Sequence, residues 1–541
     1  MVAFGPCGSV CDFVPRGATR YPVGITGPIG LLIMTQRVNL IDTSLRDGHQ
    51  SLLATRMSTE QCLRVLPLIC EEGYSILELW GGATLDSALR FTGDDPFDRL
   101  ERFRKVCDDS EAKTGTHVQI RSLCRGQNLF GYNPYADNVV FEFMKEAVRT
   151  GNDRVRIFDA LNDPRNLVTA TMSTKTFSGH AEAAMSYTTS PVHDNDHFVS
   201  FAQACVDNGA DSLAIKDMAG LLHPADAWSL IEALRERFPG IEITLHSHDT
   251  NGLAVASYVV AMMAGVDHMD TGYGPMAGAS AQPPCEVIRY FADALDVELN
   301  VKFDHAAEIS DKLREIRHEL KGTDKDPEHI PGPIPAEPTP EIKAKVHEAI
   351  DLLKKRDHDS CTRACDVIEE GIMMPLGYPP IDKSQLESQI PGGMLSNLYN
   401  QLKEQDKLDL LPKVQEEIPR VRKDSGYLPL VTPTSQIVGT QATFNVMQGE
   451  AYSFVSEPFR DVMMGKYGRL PGPPNREVLE KISKGEKPFT GRPAQLAKRP
   501  DLEKVYAENG ELIESKRDLL LLLLFPMPAK QFLQKRKEAK G

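Results

Sequence analysis

Between residues 38 and 270, short strand-like runs alternate with amphipathic stretches, and this alternation limits the available folds more than any other feature. The runs are Val38–Thr43, Ile76–Trp80, His117–Leu123, Arg154–Phe158, Ala183–Thr188, Ser212–Lys216, Ile241–His248 and Val266–Asp270. Helical patterns such as Thr59–Glu72, Asn138–Thr150, His197–Asn208 and Pro224–Phe238 lie between them. Strands separated by helices predict parallel pairing through crossovers, and eight such units predict an α/β fold of the closed (β/α)8 type, a TIM barrel. A doubly wound open sheet is the alternative, but no G-x-G-x-x-G follows the first run.

Chemically distinctive residues fall where these runs end. Asp47 follows the first, Trp80-Gly81-Gly82 closes the second, and Arg125 follows the third. Asp159 follows the fourth, Lys216-Asp217 the sixth, and His246 and His248 end the seventh. Active sites of such barrels lie at the C-terminal ends of the strands, so these residues are expected to converge. Strand side chains alternate faces, which points His246 and His248 the same way. The pair can hold one ion, with Asp47 as an oxygen ligand, or can be satisfied polar groups of the barrel interior. Arg46 either supports Asp47, contacts a substrate or pairs with a barrel acid.

A second, mostly helical region follows, with patterns at Ala306–Leu320, Ile342–Lys355, Cys361–Glu370, Leu395–Gln405 and Leu410–Val421. The expected organisation is an arm over 1–35, a barrel over 36–303, a helical domain over 304–505 and a tail over 506–541. A Pro-rich surface loop is expected over 324–340. Met34 immediately precedes the first patterned segment, which suggests that the assigned start is too early. The formal charge of −15 and the lack of a long basic stripe argue against a nucleic-acid partner. Ten cysteines without framework spacing suit a reducing cytoplasm. No apolar run reaches the ~20 residues of a membrane span; Leu519–Leu524 stops at Pro526 and reads as a packed helix turn or strand.

Five segments in order resemble one family: Arg46–Arg56, Trp80–Asp86, Arg125–Asn128, Ile215–Leu222 and Pro391–Asn397. The family is the carboxyltransferase component of biotin-dependent enzymes acting on 2-oxo acids: pyruvate carboxylase, oxaloacetate decarboxylase and transcarboxylase. The resemblance runs from about residue 36 to the C-terminus. The opening Asp-Thr-x-Leu-Arg-Asp-Gly also resembles isopropylmalate synthases and hydroxymethylglutaryl-CoA lyase, which makes a metal-dependent Claisen-type synthase or lyase the competing reading. A non-catalytic scaffold subunit is the third.

The resemblance implies a barrel with a helical funnel domain and carboxyl transfer through a metal-stabilised enolate. It implies a divalent metal (zinc, manganese or cobalt) held by Asp47, His246, His248 and Lys216, the lysine as N-carboxylysine. An ammonium beside a cation is repelled and loses its proton, which prepares the amine for CO2. By the same resemblance Gln50, Arg125 and Arg46 hold the 2-oxo acid, and an arginine fork suits a carboxylate. Ser396 matches a hydroxyl thought to shuttle a proton between substrate and biotin; by position alone it is a helix-cap serine. Asp86 and Tyr132, with Ser396, match the biotin pocket.

Two departures stand out. The run Gly278-Ala279-Ser280-Ala281-Gln282-Pro283 lacks a hydroxyl at Ala281, and the loop Gly272-Tyr273-Gly274-Pro275 is unusual. The sequence has no Met-Lys-Met biotin-attachment motif and no Gly-rich ATP segment. Biotin is therefore expected on a separate carrier protein, alongside a biotin carboxylase or a decarboxylase or transcarboxylase subunit. A homo-oligomer such as a dimer is expected.

Overall fold

The computed structural model describes residues 36–382, 392–404 and 406–540, the side chains at 395–397 and 400 excepted. Eight parallel strands form a closed ring: β1 (Arg37–Asp42), β2 (Ile76–Gly81), β3 (Gln119–Cys124), β4 (Arg154–Phe158), β5 (His180–Ser186), β6 (Ser212–Asp217), β7 (Glu242–Ser247) and β8 (His268–Thr271). Each pairs with its sequence neighbours, β1 closes the ring against both β8 and β2, and a two-residue strand, Glu298–Leu299, adds to the outer end of β1. The expected TIM barrel is the fold of this chain.

The strands' two faces do different work. Outward residues such as Leu40, Leu77, Leu79, Ile120, Val155 and Leu245 are buried against the surrounding helices in one large apolar cluster. Inward residues include a charged group, Glu78, Arg121, Arg156, Glu182 and Asp270, all fully buried. Arg121 bridges Glu78 and Asp270 at 2.8 and 2.7 Å, and Arg156 joins Glu182 and Asp270. Isolated buried charges are costly, and this arrangement gives every guanidinium at least two carboxylates.

Two expectations are corrected. The helix read over Thr59–Glu72 is two pieces, Thr59–Leu63 and Leu66–Glu71, because Pro67 lacks the N–H that a continuous helix needs and sits in the first turn of the second. The fifth strand begins at His180, three residues before the expected start. Its polar Glu182 faces Arg156 inside the barrel, so the segment does not read as an apolar run.

Beyond the barrel, helices Pro340–Leu353 and His358–Ile368 pack on the barrel helices Ala254–Ala264 and Cys285–Leu295. Helices Gly392–Glu404, Leu411–Asp424, Thr434–Gln448, Glu457–Met463 and Arg476–Ser483 build a second cluster around Leu402, Val414, Ile418, Val438 and Phe459. This helical part is tied to the loops after β4 and β5. The Arg422 guanidinium donates to the Thr188 hydroxyl at 2.9 Å, and Asn166 donates to the Tyr467 carbonyl at 2.8 Å. The chain returns to the barrel flank in helices Lys516–Leu524 and Pro526–Lys540, so the leucine run is helical. Leu520, Leu521, Leu524 and Leu533 join the barrel's apolar cluster. Among the described residues no helix is long and apolar enough to cross a membrane.

Candidate metal centre and substrate cavity

The site is assembled at the C-terminal ends of β1, β6 and β7. Asp47 stands in the turn Ser44–Gly48 directly after β1. Lys216 and His246 are register partners on β6 and β7, which brings the Lys216 Nζ to 2.8 Å from His246 Nε2. Asp217, next along β6, accepts from the Leu221 and Leu222 N–H groups and the Ser247 hydroxyl, fixing both strand ends. Gly220 has φ +67, and a Cβ there would meet the His248 carbonyl at 2.6 Å, so the turn after β6 can press against β7 only with glycine.

The ligand atoms of Asp47, His246 and His248 lie within 4.8 Å of one another. Asp47 Oδ2 is 3.2 Å from His246 Nε2 and 3.4 Å from His248 Nε2, and the two Nε2 atoms are 3.3 Å apart. Their outer nitrogens are already used. His248 Nδ1 donates to the Ser280 carbonyl at 2.6 Å, and His246 Nδ1 donates to Asp270 at 2.7 Å. A carbonyl and an ionised carboxylate only accept, so an imidazole held this way in its neutral form turns its Nε2 lone pair inward. Two such lone pairs beside a carboxylate repel one another unless a cation stands among them. The donor set therefore fits a divalent ion, with nitrogen and oxygen ligands and outer partners that fix each ring.

The surrounding groups tune these ligands. Burial would raise the Asp47 carboxyl, but the Arg46 guanidinium beside it holds it well below the usual range. Arg46 is fully buried, gives Nε to Glu78 at 2.6 Å and Nη1 to Asp47 at 2.9 Å. It thus pairs with a barrel acid and supports Asp47 at once. Gln282 donates to Asp47 at 2.9 Å, while its amide oxygen accepts from Thr43 at 2.8 Å. Ala281, which lacks the expected hydroxyl, holds its loop by backbone: its carbonyl accepts from Asp249 N–H at 2.8 Å. Burial, with the Arg46 and Arg156 charges, pushes the Lys216 amine down to about 8 against the pull of Asp47.

A cavity of about 240 Å³ opens above these groups. Arg46, Asp47, Gln50, Lys216, His248 and Lys325 line it from the barrel side. The helical part contributes Met394, Leu430, Thr432 and Ser435. Gln50 Oε1 accepts from the Ala83 N–H at 3.0 Å, and a Cβ on Gly82 would collide with that oxygen at 2.7 Å.

Not every expected residue stands in this wall. The Arg125 guanidinium donates to the Gly131 carbonyl and lies 5.8 Å from the Phe158 ring. Asp86 pairs with Arg90 at 2.7 Å on the surface. Tyr132 is 55% exposed and lines a separate groove of about 540 Å³ with Tyr467, Gln436 and Thr440. Ser396 belongs to helix Gly392–Glu404, the helix that sends Met394 into the cavity, but its side chain lies outside the described residues. Sequence reasoning missed Asp270, Glu78 and Lys325. The first two share the inward parity of the recognised residues, whereas a loop lysine carries no such signal.

Comparison with known proteins follows the same lines. The conserved carboxylase domain profile matches residues 386–541, and the HMGL-like profile matches residues 138–313. The chain is 38% identical over 502 residues to a pyruvate carboxylase subunit of Methanocaldococcus jannaschii, covering 92% of this chain and 78% of that protein. It is 37% identical over 509 residues to the methylmalonyl-CoA carboxyltransferase 5S subunit of Propionibacterium freudenreichii subsp. shermanii, covering 93% and 88%. Among solved structures, the carboxyl transferase domain from Rhizobium etli pyruvate carboxylase with pyruvate and biocytin superposes with a TM-score of 0.70 at 28% identity, covering 93% of this chain and 78% of that one.

Proposed function

Because this chain belongs to the carboxyltransferase family of pyruvate carboxylases and transcarboxylases, we propose that it moves a carboxyl group between carboxybiotin, presented on a carrier protein, and C3 of a 2-oxo acid, pyruvate and oxaloacetate being the pair. The observation that carries the reading is the convergence of Asp47, His246 and His248 beside Lys216 at the floor of the cavity. The Claisen-type reading is not favoured: relatives aligned over more than nine-tenths of the chain are carboxyltransferases, while the HMGL-like match is confined to residues 138–313.

Asp47, His246 and His248 hold one divalent ion, zinc, manganese or cobalt, since mixed nitrogen and oxygen ligands do not discriminate sharply among these. Bound there, it supplies fixed positive charge against the negative charge that develops when a 2-oxo acid loses a C3 proton. Lys216 completes the set as N-carboxylysine. Burial leaves a share of its amine neutral; the nitrogen attacks the carbon of CO2, a proton leaves, and an anionic carbamate remains.

Gln50 orients the 2-oxo acid, and Arg46 fixes Asp47 and Gln50 while adding positive charge to the wall. Arg125 supplies the parallel N–H pair that fits a carboxylate, in exchange for its bond to Gly131. The Ser396 hydroxyl carries the proton between C3 and the biotin ureido nitrogen: the C3–H proton reaches that nitrogen as the N–carboxyl bond breaks and the C3–carboxyl bond forms. Asp86 and Tyr132 flank biotin. The partners are a biotin carrier protein and a biotin carboxylase, decarboxylase or transcarboxylase subunit, and the chain forms homo-oligomers. All eight described cysteines are free thiols, which supports a cytoplasmic setting.

Elemental analysis of protein purified without chelator tests the centre. About one divalent ion per chain is expected, and Asp47→Asn, which removes the anionic ligand, should lose it with the fold intact. A metal-free preparation with full activity would contradict the proposal.

A further inference from the structure

Three cationic side chains line the cavity: Arg46, Lys216 and Lys325. Two are committed to protein groups. Arg46 is shared between Glu78 and Asp47, and Lys216 faces His246. The Lys325 ammonium makes no ion pair or hydrogen bond within the described residues, although the chain carries an excess of 15 negative charges. An unpaired cation in the wall of a cavity whose substrates are anions is a binding group in search of a carboxylate.

Its position is built rather than incidental. The Lys325 N–H donates to the Leu52 carbonyl at 3.0 Å, tying the backbone to the turn that carries Asp47 and Gln50. The preceding residue, Asp324, takes both arms of the Arg317 guanidinium at 2.6 and 2.7 Å, and Arg317 also donates to the Pro275 carbonyl at 2.9 Å. Arg317 is buried, so this clamp fixes the start of the Pro-rich segment against the loops after β1 and β8.

Depth decides which carboxylate Lys325 meets. Asp47, Lys216 and His246 are buried at the floor, whereas Lys325 keeps part of its side chain exposed and feels the Asp47 carboxylate only through space, which places it above the floor. The end of the substrate that reacts with carboxybiotin must point outward, toward the incoming carrier. We propose that Lys325 is the specificity-determining cation for the second carboxylate of the substrate: it pairs with the C4 carboxylate of oxaloacetate, the group that carboxyl transfer adds to pyruvate. The inference rests on the function proposed above and adds a recognition element outside the barrel strands.

The test is oxaloacetate decarboxylation by the full chain with a biotinylated carrier, with pyruvate as a product inhibitor. Lys325→Gln should raise the KM for oxaloacetate by about tenfold, the loss of one charge-assisted hydrogen bond, and change the inhibition constant of pyruvate by less than about twofold. Lys325→Arg should restore the KM to within about threefold of the wild-type value, because the charge is kept. An unchanged KM in Lys325→Gln, or equal rises in KM and in the pyruvate constant, would overturn the inference while leaving the wider function standing. A wild-type chain that turns over no oxaloacetate with biotin would overturn both.

Discussion

Asp270 shows how much of the site depends on residues that touch no substrate. Its carboxylate takes the His246 Nδ1–H at 2.7 Å and also serves Arg121 and Arg156. Asp270→Asn should weaken metal binding about 10- to 100-fold, as loss of outer partners generally does. It should also cost about 3–5 kcal/mol of stability, since two buried guanidiniums lose their shared counter-charge. Metal titration and denaturant unfolding read the two effects separately. Lys216→Ala should abolish most activity yet leave the unfolding midpoint little changed, because burial already disfavours the charged amine. Intact mass measured under CO2 should show the added carboxyl on wild type and not on the variant; an unmodified wild-type lysine would remove the carbamate from the account. Asp47, His246 and His248 were legible from position and parity: two histidines at i, i+2 on a strand share a face, and an acid at another strand end meets them there. Asp270 obeys the same parity yet escapes notice, because one sequence does not mark which inward acid meets a histidine. Lys325 lies on a loop whose path is set by the Arg317–Asp324 contact, which no local pattern encodes.

At the scale of elements, the strands were the most readable part, since outward apolar residues and turn signals recur in each. Where an inward position is charged, as at Glu182, the start of the strand was hidden. The C-terminal leucines were ambiguous between helix and strand because a short apolar run has no period of its own. Their helix is fixed by tertiary contact instead: the Tyr135 hydroxyl donates to the Leu524 carbonyl at 2.9 Å, and Arg517 reaches Glu101 and Glu146 at 2.7 Å. This element is a buttress for the barrel helices Pro96–Thr114 and Asp137–Arg149. Leu521 is fully buried, so Leu521→Ala should lower stability by about 2–5 kcal/mol. Thermal unfolding should show the drop while the KM for oxaloacetate stays constant. A variant as stable as wild type would mean that these helices only rest on the barrel.

For the whole molecule, the alternation of eight strands with helices was enough to give the barrel, and the barrel's geometry was enough to gather Asp47, His246 and His248. The cavity's outer wall was not readable in the same way, because Met394 and Ser435 come from helices, and Thr432 from the turn before one, whose placement over the strand ends depends on long-range contacts such as Arg422 to Thr188. On the proposed function, this combined barrel and helical wall moves a carboxyl group to or from biotin. The most direct test follows oxaloacetate consumption by the metal-loaded chain alone, with free biotin, and with a biotinylated carrier protein. Turnover should be slow with free biotin and rise steeply with the carrier, because tethered delivery raises the effective concentration at the cavity. Equal rates in all three conditions would contradict the account.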